Sequence, residues 1–114
     1  MSDLLQRLTV SHLQEAYYSL LESIKSNLEA VKRLERAFDI VSKDSAYRIE
    51  YISGNPVTFK VVSPNAEYTV INAQRLCTCP DNQILCKHRL AISLILNAIS
   101  FQKRDGISIN IKDK

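Results

Sequence analysis

All three cysteines of this 114-residue chain lie within ten positions, in the stretch CTCPDNQILCKH from Cys77 to His88. Cys77 and Cys79 form a C-x-C pair, and after six residues Cys86 and His88 form a C-x-H pair. Thiolate and imidazole are standard ligands of tetrahedral zinc, and four such side chains fill its coordination shell. The sequence therefore predicts one structural zinc ion per chain, which would join the segment around Cys77 to the segment around Cys86.

The spacing of the second pair also predicts where it lies in the fold. Residues two apart point to different sides of a regular helix. Cys86 and His88 can therefore share an ion only at the irregular first turn of a helix, where unpaired backbone amides also stabilise thiolates. Pro80 ends the preceding strand, and the loop over residues 80–85 is short enough to bring the two pairs together.

Other uses of the cysteines fit the sequence less well. An odd number of thiols, in a chain without a recognisable secretory signal, disfavours a disulfide framework and indicates a cytoplasmic location. C-x-C is not the C-x-x-C of dithiol chemistry, although a redox-switched zinc site remains an alternative. The other histidine, His12, is distant in sequence and is interpreted as a helix-surface residue rather than a ligand.

The composition also bears on catalysis and on membrane insertion. The chain has only two glycines, Gly54 and Gly106, and therefore no glycine-rich phosphate loop; no acid pair or triad is apparent, so an enzyme is not expected. The longest mostly apolar run, residues 90–99, is half of the roughly 20 residues that a membrane span needs. A net charge of +3 permits binding to nucleic acid without requiring it.

The N-terminal part has the period of an amphipathic helix. Apolar residues recur in steps of three and four over residues 11–43, with Ser11 and Gln14 as a capping box, and a shorter helical turn is expected over residues 3–8. A helix of about thirty residues is roughly 46 Å long, whereas a compact domain of this size is about 34 Å across. Either the helix bends around its own core, or it projects into a partner, such as a second copy in an antiparallel homodimer.

The rest of the chain predicts strands and a buried helix. Alternating apolar residues over 46–72, interrupted by turn residues, predict a three-stranded antiparallel meander. The run RLAISLILNAI after His88 is apolar nearly all round, so it predicts a C-terminal helix buried between the sheet and the long helix. Isoleucines alternate over residues 107–111 and predict a final edge strand. The predicted class is α+β, in a single domain over residues 1–114.

The cysteine pattern, with the strand YTVI before it and the apolar helix after it, resembles the SWIM zinc finger over residues 66–100. That family has C-x-C, a variable spacer and C-x-H, and Pro80 and Lys87 match its proline and lysine positions. Ala91 fits the form C-x-H-x-x-A. With the short chain length, this makes the sequence most similar to the small stand-alone SWIM subunits of Shu-type recombination mediators.

The resemblance implies a non-catalytic, zinc-binding accessory protein in DNA recombination or repair. It implies binding to a RecA-family ATPase paralog and action on single-stranded DNA. Arg75, Lys87 and Arg89 form a predicted basic rim that would contact phosphates or an acidic partner, or would instead only offset the thiolate charge. Two alternatives stay open: a stand-alone dimeric DNA-binding regulator and a purely protein–protein interaction module.

Overall fold

The computed structural model of the chain describes residues 4–42, 47–54, 57–71, 76–79 and 86–109. After a 3-10 turn at Leu4–Arg7, the helices are α1 (Val10–Ile24), α2 (Leu28–Ser42) and α3 (Lys87–Arg104). The strands are β1 (Arg48–Gly54), β2 (Val57–Val62), β3 (Glu67–Ile71) and β4 (Leu76–Cys77). The predicted α+β class is confirmed, and so are the antiparallel meander of β1, β2 and β3 and the short helical turn before α1.

The long helix predicted over residues 11–43 is two helices, because the chain turns at residues 25–27. Asn27 begins the second helix: its side-chain Oδ1 accepts a hydrogen bond from the Ala30 amide at 3.1 Å. Its carbonyl oxygen accepts another from the Val31 amide at 3.0 Å. Asparagine favours such capping positions over the helix interior, because its side chain competes for backbone hydrogen bonds.

This break resolves the conflict between helix length and domain size. Each helix has 15 residues and is therefore about 22 Å long, whereas the longest dimension of the molecule is 34 Å. The two helices pack against each other as a hairpin and both pack against α3. The overlong rod that motivated the homodimer prediction is thus absent, and most of the apolar stripe is covered within the chain, although Leu28 is 73% exposed. The homodimer itself stays a prediction.

The sheet brings the first cysteine to the buried face. Its strand order is β1-β2-β3-β4, with antiparallel neighbours throughout. Ile49, Phe59, Val61 and Val70 are buried in the core. The two-residue strand β4 pairs with β3, which places Cys77 directly opposite Val70.

Helix α3 is the centre of the core, as predicted from its apolar character. Its buried side chains contact α1, α2 and the sheet, and no helix of the described residues is long and apolar enough to cross a membrane. It ends where Gly106 adopts φ 88°, and the Ile107 amide donates to the Gln102 carbonyl at 2.7 Å, which is a Schellman motif. Residues 107–109 are not in a strand. The rest of the predicted edge strand lies outside the described residues.

The end of α3 is joined to the start of α1 by polar contacts, which we call the helix clasp: Thr9, His12, Glu15, Gln102, Arg104 and Asp105. The Thr9 hydroxyl caps α1 by accepting from the His12 amide at 3.2 Å, so α1 begins before the predicted cap at Ser11. The His12 ring hydrogen-bonds the Thr9 hydroxyl and lies 2.8 Å from the Asp105 carboxylate. His12 is only 9% exposed, so the interpretation of it as a surface residue is wrong.

Acidification is expected to weaken the clasp at Asp105. A hydrogen bond from Arg104, and a second from His12, hold the pKa of the Asp105 carboxyl well below its usual range. A carboxyl with a lowered folded pKa stabilises the fold above its unfolded pKa, and that contribution disappears as the pH falls towards the folded value. Asp105→Asn should therefore lower the melting temperature at pH 7, and its difference from wild type should shrink below about pH 4. Because acid also releases zinc, both proteins are melted at saturating zinc, at each pH at which the metal is still bound; a difference that does not begin to shrink between about pH 5 and pH 4 would contradict this role.

Candidate metal centre

The four predicted ligands lie together. Their ligand atoms, three sulfurs and one ring nitrogen, are all within 4.8 Å of one another. The Cys77 Sγ and the His88 Nδ1 are 3.7 Å apart. Two ligands of a tetrahedral zinc, one at the usual zinc–sulfur distance and one at the zinc–nitrogen distance, would be about 3.5 Å apart. The donor set and its spacing therefore fit zinc, with all four coordination positions supplied by the chain.

The end of the sheet positions the first two ligands. Thr78, between Cys77 and Cys79, is held against β3 by two hydrogen bonds. Its amide donates to the Thr69 carbonyl at 3.1 Å, and its hydroxyl accepts from the Thr69 amide at 2.9 Å. With Thr78 held to β3 by its amide and its hydroxyl, this short segment places one cysteine before Thr78 and the buried Cys79 after it.

The start of α3 positions the other two ligands, as the sequence predicts. Cys86 is the N-cap residue, in an extended conformation, and its sulfur accepts from the Arg89 amide at 3.5 Å. His88 follows within the first helical turn and is buried. The cap allows residues two apart to face one ion, because the helix has not yet become regular. The loop over residues 80–85 lies outside the described residues.

The sulfurs affect one another's protonation. The hydrogen bond from Cys77 lowers the pKa of the Cys86 thiol, with further contributions from His88 and the Arg89 amide. The same contact and burial raise the pKa of the Cys77 thiol. Close sulfurs thus favour a shared proton over two thiolates, and a divalent cation bound among them would displace it. Zinc would supply the charge that holds the thiolates together.

An aromatic contact orients the histidine, and sequence reasoning did not find it. The rings of Tyr68 and His88 are stacked, with centroids 4.6 Å apart and planes tilted by 33°. Tyr68 lies on β3, the strand that also carries Thr69. The contact joins the sheet to the helix beside the metal ligands and restricts the imidazole to one orientation. Twenty positions in the chain separate the two residues, so no local pattern indicates it.

Of the three residues of the predicted basic rim, only Lys87 faces an opening among the described residues. Arg89 is 8% exposed and therefore buried, and Arg75 lies outside the described residues. Lys87 does face an opening: it lines a pocket of about 180 Å³ together with Arg33 and Arg36 of α2, and the other lining residues are Tyr68 and three of the zinc ligands, Cys79, Cys86 and His88. We call the three basic residues and the opening the finger pocket. The two arginines lie more than forty positions before Cys77. In the sequence they appear only as part of a charged helix face.

The comparisons with known proteins agree with this geometry. Residues 61–97 match the family model of the SWIM zinc finger, and this segment contains all four ligands, β3, β4 and the start of α3 up to residue 97. No curated protein and no solved structure matches the chain significantly. The ligand spacing, the cap at Cys86 and the family match lead to one conclusion. Residues 61–97 are similar to the SWIM zinc finger, and the cluster of Cys77, Cys79, Cys86 and His88 supports one zinc ion.

Proposed function

We propose that the protein is an accessory subunit in DNA recombination or repair, which contacts single-stranded DNA beside its zinc finger and binds a RecA-family ATPase paralog. The finger pocket supports the contact with DNA, and the resemblance to Shu-type mediators supports the ATPase partner. The pocket places three basic side chains around one opening, and phosphate oxygens are common partners of such groups. A nucleic-acid role is also compatible with the net charge of +3.

The zinc is proposed to act structurally rather than catalytically. Four protein ligands leave no coordination position for a substrate or an activated water. Three thiolates and one Zn²⁺ would together carry a charge of about −1. A simpler alternative is that the basic groups of the finger pocket only offset this charge. The two explanations predict different salt dependences of DNA binding.

A double variant tests the finger pocket. Arg36→Ala with Lys87→Ala should weaken binding to an oligo-dT strand and reduce the slope of log K against log salt by about 0.7 for each lost phosphate contact. The matched control is Lys25→Ala with Lys103→Ala, which removes the same charge from exposed positions outside the pocket. Fluorescence anisotropy at several salt concentrations measures both. Equal losses in the two double variants would contradict a localised phosphate site.

The same assay separates this proposal from a stand-alone regulator. An accessory subunit should bind unrelated single-stranded sequences with similar affinity, whereas a regulator should select one duplex sequence from a random pool. Co-expression with RecA-family ATPase paralogs of the source organism tests the partner directly, by co-purification and native mass spectrometry. Complete separation from every such paralog would overturn the partner assignment and favour a different protein partner.

A further inference from the structure

A second opening lies on the helical hairpin, away from the zinc ligands. It has a volume of about 360 Å³, and residues of α1 and α2 line it. We call it the aromatic-acidic cleft; its lining residues are Gln14, Tyr17, Tyr18, Glu35, Phe38 and Asp39. On each helix the three positions are spaced by three and four residues, which places them on one face. The turn at residues 25–27 brings these two faces together.

Three aromatic rings shape the cleft. The Tyr17 ring lies edge-to-face with Phe38 at 5.1 Å and with Tyr18 at 5.3 Å between centroids. Tyr17 and Phe38 also pack against the core, which fixes their rings. Tyr18 is 65% exposed at the rim. The core therefore holds two of the rings, while the third is left largely in solvent.

The charged residues that line the cleft are both acidic. Glu35 and Asp39 lie one turn apart on α2, and no lysine or arginine is among the lining residues. Burial raises the pKa of the Tyr17 hydroxyl, and the negative charge of Glu35 raises it further.

Aromatic faces together with carboxylates are complementary to an organic cation. The ring quadrupole attracts an ammonium or guanidinium group, and a carboxylate adds a charge-assisted hydrogen bond. Phosphates would be repelled here, so the ligand differs from that of the finger pocket. We infer that the aromatic-acidic cleft binds a lysine or arginine side chain presented by a partner protein.

The exposed Tyr18 at the edge of the aromatic-acidic cleft favours a protein as the source of this cation. An exposed tyrosine beside a concave site is typical of interface hot spots, where a large amphipathic ring is covered on association. A free small cation would leave the Tyr18 ring in water. The inference is independent of the proposed DNA contact, since no residue of the cleft lines the finger pocket.

Titration followed by NMR tests the inference on the zinc-loaded chain. The probes are acetyl-Gly-Lys-Gly-amide and acetyl-Gly-Arg-Gly-amide, and the control peptide carries norleucine, which has a similar length and no charge. We expect saturable shifts of the Tyr17, Tyr18 and Phe38 ring resonances with the cationic peptides only. Shifts that do not saturate, or that the norleucine peptide reproduces, would overturn the inference.

Two variants locate the binding. Tyr18→Ala and Glu35→Gln should each weaken the cationic peptides about three- to fivefold, because each removes one attractive element from an exposed site. Glu22→Gln is the matched control, since Glu22 is an exposed carboxylate of the same hairpin outside the cleft. Unchanged affinity in both cleft variants would overturn the assignment. Oligo-dT binding should be unaffected by Tyr18→Ala, so failure here leaves the DNA proposal standing.

Discussion

Replacing Cys79 by alanine, or removing the metal with a chelator, is expected to unfold the whole domain. A structural zinc ion contributes on the order of 10 kcal/mol to folding, and small domains have net stabilities of only about 5 to 15 kcal/mol. The effect would not stay local. The metal would hold the first turn of α3 through Cys86 and His88, and α3 is the helix against which α1, α2 and the sheet pack.

Native mass spectrometry and thermal unfolding check this prediction together. Protein purified without added metal should carry one zinc per chain, and Cys79→Ala should carry little or none and lose its cooperative transition. Thr78→Ser is the matched control, because it lies between two ligands and keeps the hydroxyl that hydrogen-bonds Thr69. A metal-free Cys79→Ala variant that still melts cooperatively at the wild-type temperature would refute a structural role for zinc.

Replacing Gln102 is expected to have the second-largest effect on stability. Gln102 is completely buried, its Oε1 accepts from the Thr9 amide at 2.8 Å, and its Nε2 donates to the Arg7 carbonyl at 3.4 Å. Gln102→Ala would leave these backbone groups without a partner and create a cavity, which together should cost about 2 to 4 kcal/mol. Gln102→Met keeps most of the volume, so it should cost only the hydrogen-bonding part, about 1 to 3 kcal/mol.

Urea unfolding at saturating zinc measures these costs. Gln14→Ala provides the control, because Gln14 is an exposed glutamine on α1. Hydrogen exchange adds a local readout: the Thr9 amide should exchange faster in both Gln102 variants. If Gln102→Ala is within about 0.5 kcal/mol of the Gln14 control, which is the usual range for surface changes, then the buried amide does not join the helix ends as described.

The finger was predictable because its chemistry is local. The C-x-H pair requires the irregular start of a helix, and the structure places Cys86 at that cap. Strand alternation likewise gives the meander directly, since one face of the sheet is buried. In both cases, residues close in sequence determine the geometry, and no distant contact competes with it.

The features that were missed depend on contacts distant in the chain or on weak signals. Ile24, Leu28 and Val31 keep the helical spacing across the turn, and no glycine or proline marks it, so only Ser26 and Asn27 indicate the break. The clasp makes His12 a buried residue through Asp105, which lies 93 positions away. The finger pocket likewise needs arginines from α2, so a motif around the cysteines cannot supply it.

The central position of α3 also determines when the chain can fold. Cys77 and His88 are 11 positions apart, so closing the finger needs little loop entropy. Thr9 and Gln102 are 93 positions apart, and α1 and α2 have no helix to cover their apolar faces until residue 104 has left the ribosome. The apolar faces of α1 and α2 therefore stay exposed through most of synthesis. Exposed hydrophobic surface promotes aggregation during that period. Zinc that binds early would speed the packing of α1 and α2 onto α3, because it would form the first turn of α3 in advance.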